Sequence, residues 1–105
     1  MRLNDVNESL TQYDLNHPNY IPRYVYQWNR TNGDGPQTGR PDRDELNRHE
    51  GYEVMYFINH ILNFEGTPTK TDGLKAERLI RQYLPSDKRS HQNVIDWLAQ
   101  NWNNY

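Results

Sequence analysis

The sequence predicts a mainly α fold, in which three to four helices form a compact unit behind an extended, aromatic-rich N-terminal segment. Three observations lead there. From residue 42 onward, apolar residues recur at helical spacing in three successive runs separated by Gly and Pro. Only 20 of 105 residues are Leu, Ile, Val or Phe, so the three Trp and eight Tyr must supply part of the core. Five of those eleven rings fall within the first 41 residues, where helical periodicity is short. The length is that of one domain, ~100–150 residues. Within a single domain over 1–105, residues 1–41 form the extended or partly ordered segment, and 42–105 the helical core.

Leu3, Val6, Leu10 and Tyr13 repeat at three and four, which predicts a short helix over 3–14. Asn16-His17-Pro18-Asn19 is a turn, and Pro22 excludes a helix interior. Residues 23–29 alternate like a strand, with Tyr24, Tyr26 and Trp28 on one face and Val25 and Gln27 on the other. No second alternating stretch follows to pair with it. The segment therefore lies on the helices, pairs with a second copy, or binds a partner. Residues 31–41 are a Gly- and Pro-rich connector.

A long helix is predicted over 42–64, with Pro41, Asp42, Asp44 and Glu45 suited to its positive end. Leu46, Val54, Met55, Ile58, Ile61 and Leu62 make its stripe, widened by Phe57. Gly51 interrupts it at about 1 kcal/mol against Ala, which points to a close neighbour there. The next helix spans 72–84, capped by Thr71 or Asp72, with Ala76, Leu79, Ile80, Tyr83 and Leu84 inward. Pro85 closes it. Ser86 or Asp87 opens the last, over 87–103, with Val94, Ile95, Leu98 and Trp102 on one face.

Composition excludes several classes. Without cysteine there is no disulfide and no thiolate metal site. No apolar run approaches the ~20 residues of a membrane helix, and residues 1–8 lack a signal-like apolar stretch, so the expected location is cytoplasmic with no membrane partner. The net charge of −2 lacks the basic surplus of a non-specific nucleic-acid binder.

Three groups of residues carry candidate chemistry. Glu45, His49, Glu53 and His60 share one side of the 42–64 helix, and His49 with Glu53 could begin a metal site of a hydrolase. His49 and His60 lie ~16 Å apart along the axis and cannot share an ion. Only His49 with Glu45 or Glu53 could chelate, and a third ligand would have to come from elsewhere, for example His17 or His91. A solvated charged face, with His60 partly buried, is the favoured reading, and no cofactor is expected. Arg23, Tyr24, Tyr26, Trp28 and Arg30 interleave rings with cations, the pattern on which single-stranded nucleic acid stacks. The same residue types dominate protein–protein hot spots, and a core poor in aliphatics also needs their area. Trp97 falls off the stripe of its helix and marks a contact surface. The expected function is a small, non-enzymatic, protein-binding accessory or regulatory module acting on a protein partner or a second copy. A single-stranded nucleic-acid binder and a hydrolase at His49 and Glu53 are the alternatives.

Overall fold

The computed structural model describes residues 2–3, 7–21, 25–29 and 45–105. Arg23, Tyr24 and Arg30 lie outside that set, as do the 31–41 connector and residues 42–44. The fold is mainly α, about half helical, with four α-helices and no strand among the described residues. Helix α1 spans Gln12–Asn16, α2 Gly51–Tyr56, α3 Lys70–Gln82 and α4 His91–Asn101. A π turn, Phe57–Ile61, prolongs α2, and a 3-10 turn, Trp102–Asn104, prolongs α4.

Each helix begins where a side chain satisfies its unpaired amides. Thr11 and Asp14 form a capping box at α1, and Thr69 and Asp72 another at α3. The Glu50 carboxylate accepts from Tyr52 N at 3.3 Å, and Ser90 Oγ accepts from Asn93 N at 3.0 Å. All four helix starts differ from their expected places. Asp72 is the third residue of α3, because its carboxylate reaches back to Thr69 N at 2.9 Å. The last helix starts at His91, since Arg89 O accepts from Leu46 N at 2.9 Å and holds the preceding residues against the 45–46 backbone. Of the stretch predicted as helix over 42–64, residues 45–50 are extended or turned. Their backbone is paired elsewhere: Glu45 bridges Ser90, and Glu50 bridges Gln27. Within 3–14, residues 7–9 form turns and the helix itself begins only at Gln12.

The orphan strand-like segment finds its partner here. Gln27 N donates to His49 O, and Gly51 N to Gln27 O, both at 2.8 Å. Alternation then places Tyr26 in the core and Trp28 half-buried, while Val25 is 85% exposed and Gln27 faces out. Gly51 has the close neighbour its position implied: a Cβ there would meet the Trp28 ring at 2.5 Å. The described part of the front of the chain thus lies on its own helices. Leu3, Leu10, Leu15 and Tyr26 join Val54, Phe57, Ile58, Leu79, Ile80, Val94 and Leu98 in one core.

The π turn helps to fasten it. Leu62 N donates to Phe57 O at 2.9 Å, five residues back, and three successive residues, Phe57, Ile58 and Asn59, are buried. Asn59 Oδ1 accepts from Leu10 N at 2.8 Å, and Asn59 Nδ2 donates to Leu10 O at 3.0 Å. One side-chain amide therefore pairs the backbone of Leu10 as a strand would.

Candidate functional site

The helices bring together one group that the sequence did not single out. Glu77, 2% exposed, sits on the inner face of α3 between Ala76 and Ile80. Tyr20 Oη donates to its Oε2 at 2.6 Å, and Tyr26 Oη donates to the same oxygen. Burial pushes the Glu77 carboxyl above the usual carboxylate range, against the two phenol hydrogen bonds and the positive charge of Arg81. Burial also pushes up both phenols, and the neighbouring carboxylate adds to the effect. They stay protonated as donors. The Arg81 guanidinium lies over the Tyr26 ring, 5.2 Å from its centroid, and donates to Arg48 O. A carboxylate so covered by protein is a tether between the front segment and α3.

Two of the residues expected to form a stacking arm, Tyr26 and Trp28, are occupied in the same way. Tyr26 is spent on Glu77. The Trp28 indole donates to Asn16 Oδ1 at 3.0 Å and meets the Tyr52 ring edge-on at 5.0 Å. The Tyr26 ring is buried, and the Trp28 ring is half-buried and packs on Gly51. Arg23, Tyr24 and Arg30 belong to this group by sequence and lie outside the described residues.

The metal candidates do not converge. His49 is exposed, while Glu53 accepts from Asn47 N at 3.2 Å. His60, expected to be partly buried, is exposed beside Tyr56, because the π turn directs Asn59 inward in its stead. His91 packs its ring on Phe57 at 5.3 Å, and His17 stacks on Tyr13 at 3.9 Å. Among the described residues no three His, Asp or Glu side chains gather as ligands.

The outer surface around α4 is different in kind. Trp97 is half-buried at the edge of the core, 6.3 Å from the Tyr105 ring. Tyr105 in turn packs on Tyr83 at 4.2 Å, and the Arg78 guanidinium lies 5.9 Å from the Tyr83 centroid. Tyr83 was expected in the stripe of α3 and is instead 42% exposed. The helix ends at Gln82, and Tyr83 leaves helical geometry with φ −123° and ψ −25°, which swings its ring outward. Tyr105 is 46% exposed. These three rings and one cation make a continuous aromatic ridge. The signal in the sequence was partial: the period of α4 set Trp97 off its stripe, but the partners on α3 and beyond the 3-10 turn depend on tertiary packing.

On the opposite flank of α4, Ile95, Leu98, Ala99 and Trp102 line a groove with Leu62 and Phe64. Its volume is about 270 Å³. Trp102 meets Phe64 edge-on at 6.0 Å, and Lys75 Nζ lies 4.7 Å above the Trp102 ring. Asn63, Glu65, Asp72 and Asn103 form the rim.

No family model matches the chain, and no similar curated protein or solved structure was found. Among the described residues, no helix is long and apolar enough to cross a membrane.

Proposed function

We propose that this chain is a non-enzymatic, protein-binding accessory or regulatory module whose contact surface is the ridge of Tyr83, Trp97 and Tyr105. The observation that carries the reading is the exposure of two packed tyrosines beside a half-buried Trp and Arg78. Tyr, Trp and Arg are the side chains on which binding energy concentrates at protein interfaces, because each joins a large apolar area to a polar tip. The chain is short of core aliphatics, yet it leaves large rings on the outside at this place. Scattered single apolar residues on a surface are ordinary, whereas a contiguous aromatic patch marks a contact. The covered position of Glu77, beneath Tyr20 and Tyr26, supports a structural task for this carboxylate rather than a catalytic one.

A photo-crosslinking amino acid introduced at Tyr83 tests the reading in the cells from which the chain derives. The same group at Gln12, exposed on α1, serves as the control. A discrete adduct from position 83 and none from position 12 is the expected result. The same faint ladder from both positions would remove the ridge as a contact surface.

A further inference from the structure

We infer that the partner of the ridge is a second copy of this chain, seated in the groove on the far flank of α4; this rests on the reading of the ridge as a contact surface. Ile95, Ala99 and Trp102 follow each other at i, i+4 and i+7, and Trp97 lies about 200° round the helix from Ile95 at 100° per residue. Knob and hole are therefore on opposite sides of one molecule. Each can engage a neighbour while the other stays open.

Size points to this occupant. The groove, at about 270 Å³, is just below the ~300–1,000 Å³ of small-molecule sites and suits one inserted side chain. Its floor is apolar and aromatic, so an inserted ring can lie against Phe64 and Trp102, which already meet edge-on. The rim amides of Asn63 and Asn103 offer partners to a phenol hydroxyl. A tyrosine fits that description, and the exposed tyrosines of the ridge supply it.

Charge points the same way. The rim carries Glu65 and Asp72, and the neighbouring Lys75 is engaged with the Trp102 ring. The ridge carries Arg78 beside Tyr83. Inserting one ridge tyrosine brings Arg78 towards the acidic rim, so the two surfaces are complementary in sign as well as in shape. Because the two patches differ, the contact is heterologous and head-to-tail: repeated, it gives rings or open chains in place of a closed two-fold dimer. One or two rings in one groove bury less than the roughly 1,200–2,000 Å² of a stable specific interface. The association is accordingly weak and reversible.

Sedimentation velocity on the full chain, at concentrations up to about 1 mM, the weak end of specific binding, provides the test. The ridge variant is Tyr83→Ser with Tyr105→Ser. The groove variant is Ala99→Arg, which fills the hole and adds a cation from an exposed helical position. Circular dichroism melts first establish that both are folded. The wild type is expected to associate beyond a dimer, and each variant alone to stay monomeric. An equimolar mixture is expected to form a 1:1 heterodimer and stop there, since one intact ridge and one intact groove remain. Association lost in the ridge variant but kept in Ala99→Arg would overturn the groove and leave the ridge as a contact surface. A wild type monomeric at every concentration, or a mixture that stays monomeric, would overturn the inference. The crosslink at position 83 then separates the two claims: an adduct with another protein retains the ridge, and no adduct loses both.

Discussion

At the scale of single residues, the informative position is Glu77. A carboxylate at 2% exposure is costly unless it is paired, and here two phenols and the charge of Arg81 offset only part of the cost. Its folded pKa is raised above the ordinary value of 4.5. For a raised acid, the stabilising contribution is full below the unfolded pKa and is lost as pH rises through the folded value. Glu77→Gln removes that loss, and its carbonyl can still accept from Tyr20 and Tyr26. The stability difference between variant and wild type, followed by urea denaturation, should therefore shift in favour of the variant as pH climbs above about 4.5. A difference that holds constant across pH would mean that the two hydrogen bonds cancel the burial penalty in full. Little of this was legible beforehand. Position 77 lies on the inner face of its own helix, but its phenol partners are 57 and 51 residues upstream, and no local spacing joins them.

Elements show the opposite balance between sequence and structure. The stripes of α2, α3 and α4 were legible because period 3.6 is a local property, and Val54, Ile58, Leu79, Ile80, Val94 and Leu98 all lie in the core. The helix starts were harder to read. Caps compete with backbone pairing from distant segments, as Glu45 and Glu50 do with Ser90 and Gln27. Two glycines record the contact between the segments. At Gly51 an added Cβ would meet the rigid Trp28 ring at 2.5 Å, and at Gly73 the Cδ2 of Leu3 at 2.4 Å. Neither glycine has a positive φ, so space alone decides the effect of a substitution. Gly51→Ala should cost ~1–3 kcal/mol, as overpacked sites do, because an indole held by Asn16 and Tyr52 cannot swing away. Gly73→Ala should cost less. The end of a leucine can change rotamer, and Ala gains ~0.8–1 kcal/mol over Gly within a helix. Paired urea titrations settle the order, and an equal or smaller loss for Gly51→Ala would show that the Trp28 contact yields.

The whole molecule depends on its front segment more than an arm docked on a finished core would require. Among the described residues, Leu3, Leu10, Leu15 and Tyr26 are four of the fifteen that are apolar and buried. At ~1.5–3 kcal/mol for each buried side chain, they contribute about 6–12 kcal/mol, as large as the ~5–15 kcal/mol of a typical domain. Polar ties from the same segment reach the π turn and α3. Glu8 accepts from Lys70 N at 2.7 Å, Asp14 pairs with Lys70 Nζ at 2.9 Å, and the Leu10 backbone is held by Asn59. Removing residues 1–29 also deprives Glu77 of both phenols while α3 keeps it on an apolar face. Residues 45–105 alone should then keep helical far-UV dichroism but lose near-UV dichroism and cooperative urea unfolding, the signature of a collapsed chain without fixed packing. Adding a peptide of residues 1–29 should restore both signals, because the contacts described for it are made with residues of the 45–105 fragment. A fragment 45–105 that unfolds cooperatively by itself would show that the front segment docks on a core already complete, and that its buried residues stabilise far less than their area implies.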